Sequence, residues 1–356
     1  MTTDESAERE PLDPLGALGG GKTIQSIDDL IDLDLPRRPP LPRLRPGHAV
    51  RERRVVLPVV LFLITCLSTF WAGATNWQPA YFFSYGSGTA GSLAMMVRIS
   101  IVHNWQQGLA YMVSLLVILF SHEMGHFIAT VLYRIPASLP FFIPFPITPI
   151  GTMGAVIAMD GFRANRREIF DIGLAGPVAG LVLAIPILCY GILHLASPAE
   201  AFEAAGAIGT ERYDLPLIVE WLVGILRPDL GGISSVTTGQ LNPWFMAGWV
   251  GLLITGVNMM PVSQLDGGHV IYGLFGTAGH WIARGFVFVA ITYVVFARVH
   301  IWTVMLILVI LMGVDHPPTA DDRVPLGPWR TLIGILSLSI PILCFPIRGL
   351  ESLSLG

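Results

Sequence analysis

His122-Glu123-Met124-Gly125-His126 lies inside an apolar stretch, residues 108–132. On a helix, imidazoles four residues apart share one face, and two neutral rings at that spacing can grip one zinc ion. The carboxylate between them, Glu123, is placed to act as general base toward a metal-activated water. A histidine on an apolar face is ordinarily a packed side chain, and a pair four apart also arises by chance. Three ionisable groups in five positions of an apolar span are harder to dismiss. Each is costly in hydrocarbon and calls for a partner that offsets its burial. A divalent cation supplies that partner and leaves one coordination position for water, so the segment points to hydrolysis within a membrane.

Two imidazoles need a third ligand from elsewhere. Asp266 is the first candidate, in the run Asn258-Met259-Met260-Pro261-Val262-Ser263-Gln264-Leu265-Asp266-Gly267-Gly268-His269. Pro261 and the Gly267-Gly268 pair interrupt a helix there and let the backbone aim a short carboxylate at a buried ion. His269 is a rival ligand, and capping of the following helix is the ordinary use of an Asp so placed.

The elements that must position these groups are apolar. The chain has 356 residues, of which 53% are hydrophobic and 13% charged. A soluble domain carries about 25% charged residues, so the deficit indicates an all-α polytopic membrane protein in contact with lipid. Net charge is −4, which gives no basic field for nucleic acid. Cys66, Cys189 and Cys344 sit in apolar runs and read as small buried hydrophobes without a disulfide framework. Spans of about twenty apolar residues cross a bilayer. Clear ones are expected at residues 55–74, 108–132, 170–193 and 244–260, with further segments at 286–297, 302–312 and 332–344, about six to seven in all. Residues 90–102, broken by Arg98, read as a separate surface or packed segment.

Residues 1–54 are polar and rich in Pro and Arg, a composition expected of a disordered tail. Residues 16–23 fit a phosphate-loop pattern, but Glu10-Pro11-Leu12-Asp13-Pro14 upstream is no core strand, so nucleotide binding is set aside. Arg51, Arg53 and Arg54 before the first span place the amino terminus in the cytoplasm, and Arg134, Arg163, Arg166 and Arg167 fall on the same side. The organisation expected is a tail at 1–54, a first span and external segment at 55–106, a catalytic core at 107–323 and a last span at 324–356.

Residues 136–159 hold Pro136, Pro140, Pro144, Pro146 and Pro149 among Phe and Ile. Such a run cannot be a regular helix. Non-helical backbone at membrane depth survives only when buried in protein or lining a wet cavity. A re-entrant, partly extended segment beside the metal site is therefore expected, closed by Asp160. Glu168 and Asp171 read as interfacial charges or helix caps. His103, His194, His280, His300 and His316 read as interfacial, and Asp315-His316-Pro317-Pro318 as turn chemistry.

These segments resemble the site-2 protease family of intramembrane zinc metalloproteases. His122-Glu123-Met124-Gly125-His126 is similar to the family's first signature, and Asn258-Met259-Met260-Pro261 with Leu265-Asp266-Gly267 to its second. Gly151-Thr152-Met153-Gly154-Ala155 and Phe170-Asp171-Ile172-Gly173-Leu174-Ala175-Gly176-Pro177-Val178-Ala179-Gly180 resemble its central segment, and His316-Pro317-Pro318-Thr319 a stretch of some bacterial members. The resemblance implies one zinc ion on His122, His126 and Asp266, with Glu123 as acid and base. It implies that Asn258 and the extended stretch bearing Gly151, Thr152 and Gly154 hold the backbone of transmembrane protein substrates. A bacterial plasma membrane is the implied location. Residues 195–243 are too few for a peptide-binding domain of the usual size of about a hundred residues. A multi-span transporter with a metal on its route is the other reading of the same residues, since broken helices near the midplane also suit transport.

Overall fold

The computed structural model describes residues 55–80, 82, 90–197, 211–262, 264–296, 302–311, 313–346 and 350–352. The expected tail, the phosphate-loop pattern at 16–23 and His300 lie outside these residues. Uncharged, branched and aromatic residues build the first helix, α1 (Val56–Ala74). The second, α2 (Ala90–Leu132), runs unbroken for 43 residues. Its continuity corrects the expectation of a separate segment at 90–102. His103-Asn104-Trp105-Gln106-Gln107 contains neither Pro nor Gly to stop a helix, and one Arg98 lowers hydropathy without costing helical propensity. At about 1.5 Å per residue the rod is about 64 Å long, twice a hydrocarbon core of about 30 Å. Contact with α1 is close: a Cβ at Gly73 would stand 2.9 Å from the Gly108 Cα.

After α2 the chain forms a hairpin of β1 (Phe141–Phe145) and β2 (Gly151–Val156), antiparallel and irregular between Phe142 and Pro144. Ala137 and Met159 bridge its open end, and the Asp160 amide donates to the Pro136 carbonyl at 3.1 Å. The proline-rich stretch is thus extended and closed on itself, as expected. Next comes α3 (Arg166–Leu193), whose start is fixed by a capping box: Asn165 accepts from the Arg167 and Glu168 amides, and Glu168 accepts from the Asn165 amide. Asp171, one turn on, receives the Tyr133 hydroxyl and a two-pronged Arg330 guanidinium at 2.8 and 3.0 Å. Burial, with that carboxylate, pushes the Tyr133 phenol up to about 12.

Residues 195–243, too few for a peptide-binding domain, contain β3 (Glu211–Asp214), α4 (Leu217–Leu226) and β4 (Ser235–Thr237). With β5 (Leu350–Ser352) these strands make a small antiparallel sheet in the order β4-β3-β5. The chain then enters α5 (Pro243–Asn258), capped by Asn242 and buried along most of its length. Its Phe245, Met246, Ala247, Val250 and Leu252 are wholly buried and form the centre of the core. Following it are α6 (Asp266–Phe275), α7 (Gly279–Phe296), α8 (Thr303–Leu311), α9 (Pro328–Ser337) and α10 (Ile340–Cys344).

Among the described residues, four helical stretches are long and apolar enough to cross a bilayer: Val56–Ala74, Leu93–Leu132, Arg166–Leu193 and Asp266–Phe296. The fold is an all-α polytopic membrane architecture. Among the described residues, these full-length spans number fewer than the six to seven segments expected. The 16 residues of α5 are surrounded by protein, and the final apolar run is divided after Ser337 into α9 and α10. The box at Asn165 fixes where α3 begins, so Asn165→Ala is expected to cost about 1 kcal/mol. A lowered thermal midpoint of the detergent-solubilised protein checks this.

Candidate metal centre

Three elements converge on one point. The first is the inner part of α2, where His122 and His126 face α3 with ring centroids 5.0 Å apart. The second is the first turn of α6. There Asp266 sends Oδ2 to within 3.1 Å of His122 Nε2 and Oδ1 to within 3.3 Å of His126 Nε2. One ligand atom from each of the three lies within 4.8 Å of the others, a spacing that can hold a metal ion. The side chain of His122 is 3% exposed, and those of His126 and Asp266 are 13% exposed. The chemistry of the set, two imidazole nitrogens and a carboxylate oxygen, suits zinc and leaves a position open.

The third element, α3, makes room. Gly173, Gly176 and Gly180 present backbone without side chains to the site. A Cβ at Gly176 would stand 2.0 Å from His126 Nε2, and one at Gly180 would stand 3.0 Å from His122 Nδ1. From the opposite side, Gly125 lets α2 settle on the Ala175 carbonyl, where a Cβ would come to 2.4 Å. The Ile172 carbonyl accepts from His126 Nδ1 at 2.8 Å, which directs the other ring nitrogen to the carboxylate. The role of this glycine run does not emerge from the sequence alone. Its three-to-four-residue spacing is the signal that could have pointed to it.

Asp266 is not a cap. Leu265 occupies the cap position of α6 without a side-chain hydrogen bond, and Asp266 is the first helical residue, where the helix dipole favours an anion. Gly267 allows this turn to lie against the preceding chain, since a Cβ there would meet the Met259 carbonyl oxygen at 2.0 Å. His269, the rival ligand, turns Nδ1 toward His316 Nε2 at 2.7 Å and lies outside the metal-binding group. His316 is thus buried, not interfacial, and burial holds its imidazole below the ordinary value.

Glu123 is buried and lines a cleft of about 200 Å³ with His126, Asn258, Gln264, Asp266 and His269. Asn258 Nδ2 is 3.5 Å from His122 Nε2. Ala155 and Val156 at the far end of β2 also line it, together with Ile157 and Met159 just beyond the strand. Gly151, Thr152 and Gly154 of the same strand do not line the cleft. Gly151 and Gly154 both take positive φ, +79° and +99°. The Gly151 carbonyl accepts from Ser68 Oγ at 2.5 Å, and the Thr152 hydroxyl donates to the Ile143 carbonyl at 2.8 Å.

Known proteins agree with this geometry. A model described as Peptidase family M50 matches residues 110–301. "Probable zinc metalloprotease EGY1, chloroplastic" of Oryza sativa subsp. japonica is 30% identical over 229 residues, 62% of this chain and 38% of the relative. The protein of the same name from Arabidopsis thaliana is 31% identical over 233 residues, 65% of this chain and 41% of its own. "Probable zinc metalloprotease EGY2, chloroplastic" of Arabidopsis thaliana is 27% identical over 242 residues, 66% and 42% of the two chains. The matched region spans about two fifths of these relatives' length. No solved structure matches. The chain belongs to peptidase family M50, the site-2 protease family that its signatures resemble. The relatives named are plant proteins called chloroplastic, so they lend the expected bacterial plasma membrane no support.

Because a methyl at Gly176 would occupy the space of His126 Nε2, Gly176→Ala is expected to weaken metal retention at least about tenfold. Gly224→Ala, with nothing within 4 Å of the added carbon, is the control. Metal content after dialysis of the two purified proteins checks this.

Proposed function

We propose that this chain is an intramembrane zinc metalloprotease that hydrolyses peptide bonds of membrane-embedded protein substrates. The observation that carries the reading is the meeting of His122, His126 and Asp266 at one cleft with Glu123, on helices long and apolar enough to cross a bilayer. Family membership and the printed names of the relatives support the choice of zinc and of peptide hydrolysis.

His122, His126 and Asp266 would hold zinc, which would supply Lewis acidity toward a water and a peptide carbonyl. Glu123 accepts the proton of the attacking water and passes it to the nitrogen that leaves. Its burial at the cleft wall keeps that proton out of bulk solvent. Asn258, at the end of α5 beside His122, is placed to hydrogen-bond the substrate backbone. β2, paired on one side only among the described residues, offers its other edge to an extended substrate stretch, with Gly151, Thr152 and Gly154 shaping that strand. The basic residues flanking the spans support an orientation with the amino terminus and the metal end of α2 on the cytoplasmic side, from which water would reach the site.

Glu123→Gln is expected to retain zinc at the parent level and to lose at least about a hundredfold in cleavage, the contribution of a general base. Asp266→Ala is expected to lose the ion as well as the activity. Zinc stoichiometry and cleavage of a reconstituted single-span substrate, measured on the same preparations, check both. Turnover by Glu123→Gln near the parent rate would overturn the base assignment, and full zinc in Asp266→Ala would overturn the ligand assignment.

A further inference from the structure

The first turn of α6 carries Asp266 without a side-chain cap and comes after a non-helical stretch, so its position must be set by tertiary contacts. His269 lies three residues after Asp266, on the same side of the helix. Its ring is wedged between α3, where a Cβ at Gly173 would stand 2.6 Å from the His269 Cβ, and the loop after α8. From that loop His316 reaches His269, with Nε2 to Nδ1 at 2.7 Å.

His316 is itself held from several sides. Its ring stacks on Tyr272 at 4.4 Å and 18°, His280 Nε2 donates to its carbonyl at 3.1 Å, and its own Nδ1 sits 2.5 Å from the Pro317 carbonyl. Tyr272 in turn donates its hydroxyl to Asp322 at 2.9 Å. A carbonyl only accepts, so His316 Nδ1 carries the proton and Nε2 is bare. The bond to His269 then runs one way, from His269 Nδ1–H to His316 Nε2. Both rings are buried, at 7% exposure each, so a lost bond is not replaced by water at no cost.

We propose that His316, acting through His269, is a positioning residue that holds the Asp266 turn against the imidazole pair and so tightens metal binding. This rests on the metalloprotease reading and adds to it a support from outside the two signatures. His316 touches no ligand atom among the described residues. Its polar link to the centre is a neutral, directional pair fixed by one backbone carbonyl, and its stacking on Tyr272 of α6 is the part that an aromatic substitute keeps.

Full-length protein in detergent micelles, titrated with Co²⁺ against a competing chelator, tests the proposal. The parent is expected to take up one ion. His316→Phe keeps an aromatic ring against Tyr272 but offers no acceptor, and it is expected to bind cobalt about ten- to a hundredfold more weakly. His316→Gln, whose amide oxygen can receive the His269 proton, is expected to return to within about threefold of the parent, less than the loss of an orienting partner. Equal affinity in all three, or an equal loss in both variants, overturns the inference alone. A parent that takes up no cobalt overturns the metalloprotease reading, and this inference with it. ¹⁵N-histidine NMR of the unmutated protein provides a measurement independent of how the variants fold. His269 and His316 are both expected as Nδ1–H tautomers, and an Nε2–H form at His316 overturns the proposal.

Discussion

Asp266 lies between two imidazoles below the surface of a membrane protein, and burying that carboxylate is the demand the surrounding structure answers. An ion withdrawn from water costs several kcal/mol even after its surroundings relax, and attraction to a partner repays this only when the geometry is good. Two nitrogens at 3.1 and 3.3 Å supply the geometry. A cation shared by all three residues would supply more. To achieve it, α2, α3 and the first turn of α6 must approach more closely than ordinary side chains permit. Glycine at 125, 173, 176, 180 and 267 removes the Cβ atoms that would collide. The candidate centre therefore depends on absent side chains as much as on the ones that converge there.

The same demand explains the irregular backbone. Asp266 can enter the site only if the chain leaves α5 and starts α6 anew; the break covers residues 259–265 and contains Pro261, while Gly267 and Gly268 lie in the first turn of α6. Across the cleft, five prolines exclude helix from 136–159, and the hairpin settles most of its backbone groups by pairing β1 with β2 and packing on α1. Ser68 of α1 satisfies the Gly151 carbonyl, so the first long helix anchors the extended segment.

The range of each interaction decides how far it is legible in the sequence. Glu123 between His122 and His126 is legible because its spacing and its cost in an apolar run are local. Asp266 is legible as the first candidate, ahead of His269, from the helix break beside it; its approach to both imidazoles and the partner of His269 at His316 appear only in three dimensions. Gly173, Gly176 and Gly180 are visible as a pattern, yet close approach is a property of two helices, and the partner is α2, far earlier, for Gly176 and Gly180 and α6, far later, for Gly173. The continuity of α2 is hidden by one arginine that lowers local hydropathy. The sheet β4-β3-β5 is hidden because strands of three or four residues carry no usable period and β5 comes from the far end of the chain. Gly151 and Thr152 point to a strand beside the cleft, but only the far end of that strand, Ala155 and Val156, lines it.

The hydrogen bonding of a helix bears on the form a substrate takes. In an intact helix the carbonyls are engaged in its own hydrogen bonds and are closed to attack in the space beside Glu123 and Asp266. An unwound stretch meets that constraint, provided that something replaces the backbone bonds it gives up in an apolar setting. Among the described residues β2 has one unpaired edge, and its Ala155 and Val156 line that space together with Asn258. In the proposed protease, stability of the substrate helix near its cleaved bond therefore becomes part of the barrier, and helix-weakening residues such as Gly or Asn in the substrate lower it.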